Sequence, residues 1–380
     1  METIFPEKGL INHGDWAPIR KVMRKALSGQ DIAIAFIGGS ITMGSVSSTP
    51  ENCYAAIVHK WWADKFPNSK VKYINAGIGG TTSQFGAARV RDDVLLHKPD
   101  FVLCEFAVND ENTPFFGETY ESLVRVILKD ESSPALMLMN NIMYDSGKSA
   151  AFEHIKVAKH YDIPMVSMEP TIYSRIQSGN IKAEDITPDN LHPNDEGHKL
   201  VASVVIDLLS KIYDSINEND VYTLCTKTGK LPEPLSDDAY ENSMCIRTNN
   251  MDGSGCEVVL DGFVPDRRPK ENYDDFFSLG FIGTNIGDSI TFGAECTGLA
   301  IQYTKTINKP APIAQAVLDG DEEHPIILNA NFEETWGDCL YIENVGIHLQ
   351  KKRHEVRITI TDSNKEDKSP FYLLSVIVSK

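Results

Sequence analysis

The sequence predicts an α/β domain with a five-stranded parallel sheet, followed by an antiparallel β-sandwich. Two observations carry this. In the first half, continuous apolar runs alternate with amphipathic stretches; beyond about residue 215 the chain changes to short alternating strands separated by turn signals. A third observation is length. At 380 residues the chain exceeds what one hydrophobic core usually holds, so two domains are expected, over residues 1–220 and 221–380.

The expected strands of the first domain lie at 31–37, 71–76, 100–107, 135–141 and 163–168, each bounded by Gly, Pro or Asp. Strands that are apolar throughout, rather than alternating, belong to parallel sheets buried on both faces. Helical periodicity falls between them, near 15–28, 51–66, 83–97, 118–130 and 149–161, with a last helix at 194–213. This order gives a three-layer, flavodoxin-like sandwich of roughly two hundred residues. The stretch "INENDVYTLCTKTGKLPEPLSDD" is polar and broken by Pro and Gly, as a linker would be. After it, "CEVVLDGFV", "DSITFGAECTGLAIQYTKT", "HPIILNANF", "HEVRITITDS" and "FYLLSVIV" read as strands of a sandwich.

A formal charge of −18 disfavours nucleic acid and anionic membrane surfaces as partners, and no apolar run is long enough to span a bilayer. The seven cysteines (Cys53, Cys104, Cys225, Cys245, Cys256, Cys296 and Cys339) are scattered and never form a CxxC pair. Reduced thiols are therefore expected rather than a disulfide framework or a zinc site. With an N-terminal stretch unlike a secretory signal, this favours the cytoplasm. Free edge strands in the β-domain leave room for a homodimer.

Ligands of open parallel sheets bind beyond the carboxyl ends of the strands. There the sequence places "IGGSIT" with Ser40, "NAGIGGTT", "FAVND" with Asn109 and Asp110, and "TPDNLHPNDEGHKL" with Asp189 and His192. A serine hydroxyl needs an imidazole to remove its proton, and the imidazole needs an acid to orient it; a D-x-x-H loop supplies both. Ser40 at a helix start would have backbone N–H groups free for a developing oxyanion. The G-x-S-x-G elbow fails at Thr42, which argues against an α/β-hydrolase fold but not against serine chemistry. The histidines at 192 and 198 lack the i,i+4 spacing of a metal pair, so neither a catalytic metal nor a cofactor is expected, and His198 is expected in a solvated first turn of the last helix. The acidic "DGDEEHP" loop is a candidate calcium ligand but is more simply read as solvated. Glu105, a charge inside a buried strand, is expected to brace the loop that carries Ser40 through hydrogen bonds, with tuning of the site as the lesser alternative. Trp336, in a polar loop, is a candidate sugar-stacking platform, with a buried anchor as the equal alternative.

Over residues 30–200 the four blocks resemble those of the SGNH, or GDSL-like, hydrolases. The resemblance implies Ser40 as nucleophile, His192 as base and Asp189 as its acid partner. It implies an oxyanion hole from Ser40 N–H, Asn109 and a second-block glycine: Gly80 matches best, with Gly79 the alternative. Gly39 stands where an aspartate is frequent in the family, a form found among carbohydrate-active members. A hydrolase domain followed by a sandwich similar to a carbohydrate-binding module resembles the mannan O-acetylesterases of carbohydrate esterase family seventeen. That implies release of acetyl groups from oligosaccharides. A lipase-like or thioester-cleaving enzyme, and a carbohydrate-binding protein with an inert hydrolase domain, are the competing expectations.

Overall fold

A computed structural model describes residues 4–217, 231–268, 276–334 and 336–380. The chain divides into two compact units, one as far as Asp238 and the other from Ala239 onward. The expected boundary at 220/221 lies outside the described residues. Within the first unit, residues 231–238 are held against helix Pro114–Leu128: Arg125 donates to the Pro232 carbonyl at 3.0 Å, and Leu235 N–H donates to Glu121 at 2.6 Å. This tail of the expected linker is therefore part of the first unit.

The strands of the first unit are β1 (Leu10–Asn12), β2 (Ile32–Gly38), β3 (Val71–Gly77), β4 (Phe101–Glu105), β5 (Ala135–Asn140) and β6 (Met165–Ser167). Its helices are α1 (Ala17–Leu27), α2 (Ser40–Met43), α3 (Tyr54–Lys65), α4 (Ser83–Asp93), α5 (Pro114–Leu128), α6 (Ala151–His160), the single turns α7 (Ser174–Gln177) and α8 (Ala183–Ile186), and α9 (Asp195–Asp214). The sheet order is β1-β6-β5-β4-β2-β3, with β2 to β6 parallel. The five parallel strands are those expected; β1 adds a sixth, antiparallel edge strand against β6.

Strand alternation builds the two cores directly. Ile32, Ile34 and Phe36 of β2 face the layer formed with α1, α3 and α9, while Ala33, Ala35 and Ile37 face the layer of α4, α5 and α6. Successive residues point to opposite faces and both faces are covered, so no polar position is left in the strand, which is why it reads as one apolar run. From β2 the chain moves outward to β3, then returns across β2 to β4 and continues to β5 and β6. The direction reverses between β2 and β4. Crevices form at such switch points, and the loops that leave β2 and β4 carry Ser40 and Asn109.

The second unit contains two antiparallel sheets. One has the order β15 (Cys339–Gly346), β12 (Gly298–Lys305), β17 (Phe371–Ser379), β10 (Phe281–Gly283) and β9 (Val264–Pro265), with β7 (Ser243–Ile246) also paired to β17. The other has the order β14 (Ile326–Asn329), β13 (Ile313–Leu318), β16 (Lys352–Asp362), β11 (Ser289–Cys296) and β8 (Glu257–Asp261). Inward residues from both sheets, including Phe292, Val356 and Ile358 from one and Ile301, Tyr303 and Phe371 from the other, share one core.

Candidate active site

The nucleophile loop is shaped by space. β2 ends at Gly38, where a Cβ would lie 2.2 Å from Thr42 Oγ1 and 2.4 Å from the Glu105 carbonyl. Only glycine lets α2 start this close to β4. Gly39 is the extended N-cap, and Ser40 is the first residue of α2, so helix geometry leaves its N–H without an intrahelical acceptor. The Gly38 carbonyl accepts from Ile78 N–H at 3.1 Å and from the buried Arg89 guanidinium at 3.2 Å.

His192 Nε2 lies 2.8 Å from Ser40 Oγ, and its Nδ1 lies 2.7 Å from Asp189 Oδ2. The other Asp189 oxygen accepts from His192 N–H at 2.7 Å and Leu191 N–H at 3.0 Å. The acid is thus locked to the segment that carries the base. Partial burial pushes the Asp189 carboxyl up, but hydrogen bonds from the His192 ring, His192 N–H and Leu191 N–H outweigh this and hold it below the usual carboxylate value. An ionised Asp189 at Nδ1 keeps the Nε2 lone pair directed at Ser40, the arrangement that proton removal from a serine requires.

Of the second-block glycines, Gly80 has a left-handed backbone, with φ +68. Gly79 turns its open face to the serine: a Cβ there would lie 3.8 Å from Ser40 Cβ. Asn109 stands against the residue that precedes the nucleophile. Its Oδ1 is buried without a hydrogen-bond partner and packs against Gly39, where a Cβ would meet it at 2.3 Å. An aspartate at position 39 would displace the Asn109 carboxamide in this backbone geometry.

Residues with no expected part in the chemistry hold this arrangement together. Asp195, at the start of α9, accepts from Ser48 N–H at 2.8 Å, Ser48 Oγ at 2.6 Å and Asn52 Nδ2 at 3.0 Å. It clamps the loop after the nucleophile to the helix after His192. His198 is fully buried rather than solvated; its Nδ1 accepts Tyr54 N–H at 3.2 Å, and burial lowers its pKa to about 4. The signal for burial was available, because position 198 lies three residues before Val201 on the apolar stripe of α9. Trp336, in the second unit, is exposed, with its Nε1 donating to Glu334 at 2.6 Å and its ring edge-on to Phe332. Of its two expected settings, the exposed one is observed.

Glu105 braces its own strand end rather than the first-block loop, accepting Ala107 N–H at 2.9 Å. Burial pushes its carboxyl up to about 7 from 4.5, against partial compensation by the N–H groups of Ala107 and Asn141. A group whose folded pKa is raised binds more protons folded than unfolded between these values, so its contribution to stability falls as pH rises from about 4.5 to about 7. Glu105→Gln removes that term. The melting temperature of the variant, measured from pH 4.5 to 8 beside the native protein, is expected to gain on native as pH rises and to level off above about 7. A constant difference across that range would contradict it.

Residues 36–200 match the GDSL-like lipase/acylhydrolase family. The chain belongs to that family. Along its whole length it is similar to a two-domain esterase active on acetylated mannans. The crystal structure of that esterase with mannopentaose superposes with a TM-score of 0.92 at 44% identity, covering 99% of this chain and 98% of that one. A second structure of a two-domain esterase active on acetylated mannans gives a TM-score of 0.93, also at 44% identity, covering 99% of each chain. Among curated relatives, thioesterase 1/protease 1/lysophospholipase L1 of Escherichia coli K12 is 29% identical over 176 residues, 44% of this chain and 79% of that protein.

Proposed function

We propose that the protein is a serine O-acetylesterase that deacetylates mannan oligosaccharides. The observation that carries the chemistry is the line from Ser40 Oγ through His192 to Asp189, with separations of 2.8 and 2.7 Å. The substrate class rests on the 44% identity, over 99% of the chain, to an esterase active on acetylated mannans.

In this reading Ser40 Oγ attacks the acetyl carbonyl carbon while His192 Nε2 takes the hydroxyl proton. Charge on the carbonyl oxygen is met by Ser40 N–H, Gly80 N–H and the Asn109 carboxamide. Collapse of the tetrahedral intermediate breaks the bond to the sugar oxygen, which leaves with the proton from His192. Water, deprotonated by the same imidazole, then attacks the acetyl-enzyme, and acetate departs as Ser40 recovers its proton. Asp189 stays ionised throughout and stabilises the imidazolium. The exposed ring of Trp336 supports a sugar-stacking role in the second unit. The six free, buried cysteines among the described residues support action in a reducing compartment.

Mass spectrometry of acetylated manno-oligosaccharides before and after incubation tests this reading, with chromogenic esters of increasing acyl length measured in parallel. Loss of acetyl groups from the mannan fragments and a preference for acetate are expected. Intact acetylated fragments, or faster turnover of long acyl chains, would refute it.

A further inference from the structure

Behind the oxyanion side of the site lies a buried pair with no part in the chemistry described above. Asp110 directly follows Asn109 and is almost fully buried. One carboxylate oxygen accepts the N–H of Ser83, the first residue of α4, at 2.9 Å. The other accepts from Nε2 of His154 on α6 at 3.0 Å. His154 is itself fully buried, lies flat on Tyr120 of α5 with ring centroids 3.5 Å apart, and meets Asn140 through Nδ1 at 3.4 Å.

The connectivity gives this pair a task. Ser83 stands three residues after Gly80, and Asp110 one residue after Asn109, so the carboxylate joins the two segments that carry the proposed oxyanion donors. Both segments have a second anchor. Asn109 N–H and Asp110 N–H share the Phe106 carbonyl, at 3.1 and 2.9 Å, and the Phe106 ring packs so closely on α4 that a Cβ at Gly86 would meet it at 2.9 Å. Buried histidine–carboxylate pairs are poor stabilisers, because desolvation offsets much of their attraction. What this pair fixes is a distance, between the second-block turn and the third-block loop. Transition-state stabilisation depends steeply on that distance.

We propose that Asp110 and His154 are positioning residues for the oxyanion hole: together they hold the Gly79–Gly80 turn and the Asn109 loop at the spacing where their donors address one oxygen. The proposal rests on the reading of Asn109 as an oxyanion donor. Neither residue touches substrate; each acts through the donors it places.

The test is steady-state kinetics on a chromogenic acetate ester. Asp110→Ala is expected to lower kcat by about 100-fold with KM changed by less than about threefold, since a donor displaced by about 1 Å loses that much. Asp110→Asn should recover most of this: its Oδ1 still accepts Ser83 N–H, and its Nδ2 donates to His154 when that ring carries its proton on Nδ1. Ser83→Pro removes only the N–H at the tie together with the hydroxyl. It suits the first position of a helix after the extended Thr82, so it carries the test if Asp110→Ala does not fold; it should match Asp110→Ala. Because Asp110 acts through the Gly80 and Asn109 donors together, the loss in Asn109→Ala/Asp110→Ala should fall well short of the product of the two single losses. Native kcat in folded Asp110→Ala or Ser83→Pro, or losses that multiply in the double variant, would overturn the proposal while leaving the oxyanion reading in place. Native kcat in Asn109→Ala would overturn both.

Discussion

Ser40→Ala is expected to abolish turnover, lowering kcat by about 10⁴-fold or more while the protein keeps its fold and melting temperature. The fold is insensitive because the Oγ contributes a single hydrogen bond, to His192, in a loop that already holds its shape through Gly38, Thr42 and the Arg89 contact with the Gly38 carbonyl. The chemistry is sensitive because no other hydroxyl among the described residues is placed against His192 Nε2. His192→Ala should cost a comparable factor. Serine and imidazole act as a unit, so the double variant should be no slower than either single one. Initial rates of acetate release from an activated ester, with circular dichroism to confirm folding, check this. Loss of turnover confined to His192→Ala would point to a different nucleophile.

Asn109→Ala is expected to lower kcat by about 10² to 10³-fold with little change in KM, the loss typical of one oxyanion donor. The split follows from where charge appears. In the bound ester the carbonyl oxygen is nearly neutral, and only in the tetrahedral intermediate does it carry the charge that a carboxamide donor stabilises. Asn109→Asp should be slower still, because it sets a carboxylate beside the developing anion. A loss appearing in KM alone would place Asn109 in ground-state binding.

The parallel sheet was legible because a strand buried on both faces has no choice but to be apolar. Ile32 to Ile37 supply residues to both cores in turn, and no helix could do so in six residues. β1 was not legible: three residues, Leu10–Asn12, carry no period, and only pairing with β6 makes them a strand. In the second unit one apolar tract, 288–306, proved to be two strands in different sheets, β11 and β12, on either side of Thr297. A tract that changes sheets keeps its hydrophobicity through the bend and so hides it. β13 and β15 were missed because Ala, Gln, Glu and Asn dilute their strand character, and tertiary pairing overrides such weak preferences. α5 begins four residues earlier than the apolar pattern indicated, at a Thr-Pro start whose threonine caps the helix.

The candidate site was legible to the extent that its residues lie at strand ends. Ser40, Asp189 and His192 are up to 152 positions apart in the chain, yet parallel topology delivers both segments to one edge of the sheet. The supporting residues were not legible. Asp195, Arg89 and His154 are ordinary helix residues by spacing, and what sets them apart is only the distant backbone group or carboxylate that each one meets. Gly39 lies between these cases. Its departure from the family's usual aspartate was visible in the sequence, but what a side chain there would meet, the Asn109 carboxamide, required the structure.

The central claim is that Ser40 carries the acetyl group from a mannan oligosaccharide to water. The most direct measurement is rapid acid quench of the enzyme during turnover of acetylated manno-oligosaccharide, followed by peptide mass spectrometry. An acetyl group is predicted on the peptide that contains Ser40 in the native enzyme, with neither adduct nor released acetate in Ser40→Ala. Acetate release by Ser40→Ala at the native rate would contradict the account.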